Sequence, residues 1–79
     1  MIRKEDDGAT LSFQVFFTGR KAAEDFTVWY ATDADHIKSE FMSRIYSAFE
    51  SDAGIFRFTN FEWGTEIVLN VRNIERIEV

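Results

Sequence analysis

The chain has 79 residues, of which 46% are hydrophobic and 29% charged, and a formal net charge of −5 from 14 acids and nine bases. That length allows one domain, residues 1–79, with one small core, and that composition is globular rather than disordered. With no cysteine there is neither a disulfide framework nor a thiolate zinc site, and the scattered bases give no concentrated cationic face for duplex DNA.

Residues 1–9 are polar and include the turn-like run Asp6-Asp7-Gly8, and they read as a flexible lead-in or a turn. Thr10 to Phe17 alternates, with Leu11, Phe13, Val15 and Phe17 on one face and Thr10, Ser12, Gln14 and Phe16 on the other. Period two over eight residues predicts a half-buried strand. Thr18-Gly19-Arg20-Lys21 is a turn, and Phe26, Val28 and Tyr30 then alternate with Thr27, Trp29 and Ala31, so the two strands form a hairpin. Thr32-Asp33-Ala34-Asp35 marks a helix start, where Thr32 or Asp33 can cap and acids suit the helix dipole. Ile37, Phe41, Ile45 and Ala48 or Phe49 form one apolar helical stripe ending near residue 50, before Gly54.

Ile55 to Phe61 is rich in strand formers, and Asn60-Phe61-Glu62-Trp63-Gly64 makes the next turn. Thr65 to Val71 alternates with Ile67, Leu69 and Val71 inward. Val71-Arg72-Asn73-Ile74 is a tight turn or bulge, and Ile77 and Val79 belong to a short final strand. The expected fold is therefore α+β, in the order β-β-α-β-β-β: a mainly antiparallel sheet of four or five strands with one helix packed on one face.

The pattern Phe58-x-x-Phe61-x-x-Gly64-x-Glu66-Ile67-Val68-Leu69-Asn70-x-x-x-Ile74-x-x-Ile77-Glu78-Val79 resembles the ending of small bacterial and phage-type single-domain proteins of uncharacterised function. In those, a hairpin and a helix precede a strand pair that closes on an Ile-rich last strand. The resemblance covers residues 54–79 closely and the rest in element order. It implies a fold and brings no catalytic residue with it.

The chemistry-bearing residues form no constellation. His36, the single histidine, lies beside Asp33, Asp35 and Ser39 at the helix start, without a nucleophile and an orienting group in register. Asp33 with Asp35, or Asp6 with Asp7, lacks the regular loop spacing of a hard-cation site. Gly8, Gly19, Gly54 and Gly64 are isolated turn glycines rather than a phosphate-cradling loop. No catalytic, cofactor-binding or metal-binding residue is expected, and the chain is expected not to be an enzyme. No stretch approaches the ~18 apolar residues of a membrane span, and the opening residues lack the apolar segment of a signal peptide. A cytoplasmic location is the expectation.

The aromatics carry the functional reading. With one helix covering one sheet face, Phe16, Trp29 and Val68 fall on the uncovered face, and from the third strand either Phe56 and Phe58 or Ile55 and Phe61 join them. Aromatics are enriched at interfaces. The candidate interface is Phe16, Trp29, Phe61, Trp63 and Val68. The expected function is a non-enzymatic protein-binding or assembly module that self-associates as a homo-oligomer through an aromatic sheet face or edge. One alternative is a small acidic inhibitor, of a kind phages encode, that imitates nucleic acid and fills a cationic groove. Another is a single-stranded nucleic-acid binder in which aromatics stack on bases and Arg57, Arg72 and Arg76 hold the backbone.

Overall fold

A computed structural model describes residues 1–79. Six strands and one α-helix follow the order β1 (Ile2–Glu5), β2 (Gly8–Phe17), β3 (Glu24–Tyr30), α1 (Ile37–Glu50), β4 (Ile55–Asn60), β5 (Thr65–Asn70) and β6 (Ile74–Glu78), with a 3-10 turn at Val71–Asn73 before β6. The class is α+β with antiparallel pairing throughout.

β2 organises the larger sheet. β3 runs along one edge, pairing Ala9 with Tyr30 through Val15 with Glu24. β1 and β6 share the other edge end to end: β1 covers Gly8 to Leu11, and β6 covers Gln14 to Phe17 with a bulge between Phe16 and Phe17. β4 and β5 form a separate two-stranded sheet. α1 spans the inner side of both.

Two expectations are corrected here. Residues 1–9 are not a lead-in: Asp6-Asp7 is a turn, and Ile2–Glu5 is a strand, which makes the order β-β-β-α-β-β-β. Ile2, Arg3 and Lys4 are all exposed, so this edge strand has no apolar alternation to betray it and is held by backbone pairing alone. The strands also do not make one sheet. Between β3 and β4 the backbone contact is confined to one point, where Phe61 N donates to Thr27 O at 2.7 Å. Beside it the Asn60 side-chain oxygen accepts from Thr27 N at 3.2 Å. A side chain thus takes the place of a ladder bond, and Asn60 and Thr27 are buried because of it.

The core follows the alternation. Leu11, Phe13 and Val15 of β2 and Phe26 and Val28 of β3 meet Ile37, Phe41, Ile45 and Ala48 of the helix, and all are buried. Ala48, not Phe49, completes the stripe; Phe49 is exposed. In β4 the inward pair is Phe56 and Phe58, so Ile55 and Arg57 face out. Five phenylalanines form the junction of the three layers. Phe13 touches Phe41, Phe58 and Phe26 with ring centroids 4.5, 5.5 and 5.9 Å apart, and Phe56 joins Phe58 at 5.1 Å. Such tilted and edge-on contacts add to the area they bury.

Candidate interaction site

The contact between β3 and β4 at Thr27, Asn60 and Phe61 is the apex of a slot. Away from it the two strands diverge and leave a cavity of about 430 Å3 lined by Val28, Trp29, Tyr30, Arg44, Arg57, Phe58, Thr59 and Phe61.

The backbone along both walls is unpaired, which follows from the ladder geometry. Thr27 bonds to Asn60 and Phe61, and Ser12, opposite it, bonds to Met1 on the far edge of β2. Thr27 and Ser12 are thus a non-bonded pair, and so, two residues along, are Trp29 and Thr10. The Trp29 N–H and C=O therefore point into the slot. On the opposite wall Val71 N donates to Gly54 O at 2.9 Å, one step beyond the Ile55–Asn70 pair. By the same alternation Leu69 with Phe56 and Ile67 with Phe58 are the bonded pairs. Arg57 and Thr59 turn their N–H and C=O away from β5, into the slot. No backbone bond besides Phe61 to Thr27 joins β3 to β4. The slot is a gap in a sheet, with polar main chain on both sides.

The side chains divide by face. Val28 and Phe58 are buried and Tyr30 half-buried, and they make an apolar floor toward the core. Trp29, Arg57, Thr59 and Phe61 are exposed at the mouth. Arg44 reaches over from the helix: its guanidinium lies 4.5 Å from the Tyr30 ring centroid and donates to Glu40 at 3.0 Å. Burial pushes the Tyr30 phenol above its ordinary value, against the opposing pull of Arg44. Arg57 has no hydrogen-bond or ion-pair partner. The Trp29 indole lies close over Gly8 at the start of β2, where a Cβ would come within 2.9 Å of it.

Of the residues singled out from the sequence, Trp29 and Phe61 come together at this slot. Trp63, 76% exposed, lies in the adjoining β4–β5 turn, and Val68, 54% exposed, lies next to Arg57 on the outer side of β5. Phe16 is apart, six residues along β2 from Thr10, the partner of Trp29. Its ring is covered by the Arg76 guanidinium, 3.8 Å from the centroid. Elsewhere the uncovered face is polar. Ser12 and Thr27 share a hydroxyl contact at 3.0 Å, Thr27 donates to Glu62 at 3.2 Å, and Gln14 donates to Asp25 at 3.0 Å. The sequence marks Arg57 only as a backbone contact in the nucleic-acid alternative, and it gives Tyr30, Arg44 and the latch residue Asn60 no part in a site. Arg44 and Tyr30 meet only in three dimensions.

His36 stays at the helix start. Its Nδ1 lies 2.6 Å from Asp33 Oδ1, which also accepts from the backbone N–H groups of Asp35 and His36. Asp33, not Thr32, thus closes the turn that leads into α1, while the helix's own N-cap residue, His36, makes no side-chain cap bond. The shared hydrogen bond raises the His36 value and lowers that of Asp33. No nucleophilic side chain bonds to His36, and no group of three or more metal-ligating side chains forms. No helix is long and apolar enough to cross a membrane. No family model, curated protein or solved structure matches the chain.

Proposed function

We propose that this chain is a non-enzymatic protein-binding module that captures an extended segment of another polypeptide in the slot between β3 and β4. The observation that carries this reading is the pair of facing unpaired main-chain walls, Trp29 on one side and Arg57 and Thr59 on the other, over an apolar floor. Strand addition supplies affinity through main-chain hydrogen bonds and selectivity through alternate side-chain pockets. Single-stranded nucleic acid fits less well, because its backbone carries no peptide N–H and C=O groups to satisfy the two facing main-chain walls. An amide NMR titration with a mixture of unstructured hexapeptides should shift and protect the Trp29, Arg57 and Thr59 amides. If those three stay in place while the peptide is raised to millimolar concentration, strand capture is wrong.

A second reading, self-association, rests on the other free edge of the small sheet. β5 pairs only with β4, and by the alternation above Glu66, Val68 and Asn70 present their main chain to solvent. A two-fold antiparallel pairing centred on Val68 sets Ile67 beside the partner's Leu69 and Glu66 beside the partner's Asn70. No like charges meet, and this edge carries no lysine or proline to block it. Light scattering of the assembled form should give twice the 9.2 kDa chain mass. Val68→Lys should return it to the monomer with the melting curve of the isolated chain. A wild-type mass of one chain at millimolar concentration removes this reading and leaves the slot untouched.

A further inference from the structure

We propose that the slot selects a segment in which apolar and acidic side chains alternate; this rests on strand capture at the same site. A residue extended between β3 and β4 sends successive side chains to opposite faces. Those turned inward meet Val28, Tyr30 and Phe58, which offer no polar partner except the Tyr30 hydroxyl. Those turned outward pass between Trp29 and Arg57. The chain has 14 acids against nine bases, yet the residues lining the slot include two arginines and no acid. Arg44 is occupied by Glu40 and the Tyr30 ring. Arg57 is not: among the ion pairs formed by Arg20, His36, Arg44 and Arg76 it has no part. Its neighbour across the pair is Val68, so no carboxylate of this chain lies beside it in register. The mouth of the slot therefore offers one unpaired cation, Arg57, which complements a carboxylate on the outward side of a bound segment.

The other occupants fit less well. A second copy would have to insert a folded edge strand, and the Asn60–Phe61 contact with Thr27 closes one end of the slot against it. A nucleic acid has no alternating N–H and C=O groups to pair with the two unpaired main-chain walls.

Fluorescence anisotropy with labelled hexapeptides tests this directly, using one peptide that alternates Val and Glu and one that alternates Val and Lys. The Glu peptide should bind about tenfold more tightly than the Lys peptide at low salt, and the gap should narrow as salt is added. Arg57→Glu should invert the order; the residue is exposed, so circular dichroism should show an unchanged fold. A Glu peptide N-methylated on alternate residues tests the main-chain bonds without altering the protein, and it should not bind. Equal binding of the two plain peptides overturns the acidic preference and leaves strand capture standing. Failure of both peptides, or full binding of the methylated one, overturns capture as well. Tighter binding of oligothymidylate than of either peptide assigns the slot to single-stranded nucleic acid instead.

Discussion

Replacing Phe41 with alanine should leave the chain largely unfolded at room temperature. Phe41 has no exposed surface, and its ring is where α1 meets both sheets, 4.5 Å from Phe13 and 6.0 Å from Phe56. Truncation removes the buried ring and leaves a cavity that the surrounding phenylalanines cannot close without abandoning their own contacts. The usual cost is about 3–5 kcal/mol. A small domain has a total stability of roughly 5 kcal/mol at the low end of the ordinary range, so little or nothing would remain. The neighbouring Glu40→Ala removes only an exposed pair with Arg44 and should cost less than about 0.5 kcal/mol. Urea unfolding of the two variants side by side is the measurement. Midpoints that fall within error of each other would place Phe41 outside the core.

Gly8→Ala should be the next most damaging change, although it adds one methyl group at a half-exposed position. Gly8 opens β2 where the end of β3 crosses closest. A Cβ there would collide with the Tyr30 carbonyl oxygen and press on the indole of Trp29. The carbonyl is main chain, so relief requires β2 and β3 to part rather than a side chain to turn. Overpacking of this kind costs about 1–3 kcal/mol. In a domain of this size each kcal/mol lowers the melting temperature by roughly 4–8 °C. The variant should also displace Trp29 from the wall of the slot and weaken peptide capture by more than its loss of stability explains. A melting temperature equal to that of the wild type would mean that the two strands lie farther apart than described.

Period-two patterning made most of this architecture legible. The runs Leu11-Phe13-Val15 and Phe26-Val28 face inward as their spacing requires, and the helical stripe from Ile37 through Ala48 is buried throughout. Patterning failed where structure rests on something other than side-chain burial. β1 is an exposed strand secured by its main chain, so no hydrophobic period marks it. The split between the sheets depends on one asparagine substituting for a ladder bond, and nothing in the residues around Asn60 announces that. Trp29 and Phe61 are uncovered aromatics by their spacing, and they share the slot. Phe16 is uncovered by the same spacing, yet its ring lies under Arg76. Alternation gives the face of a residue but not whether a long charged side chain will fold over it.

The seam between β2 and β6 has a kinetic consequence. Val15 and Ile77 are neighbours in the sheet although more than three-quarters of the chain lies between them. By contrast β1 with β2, β2 with β3 and β4 with β5 are all joined by short connections. The three hairpins and the helix are local and close at little entropic expense, whereas the β6 seam requires the largest loop in the molecule to close. Until that happens, the half of β2 from Gln14 to Phe17 has an open edge that includes Val15 and two phenylalanines. During that interval the chain is most exposed to pairing with a wrong strand, and the arrival of β6 ends it.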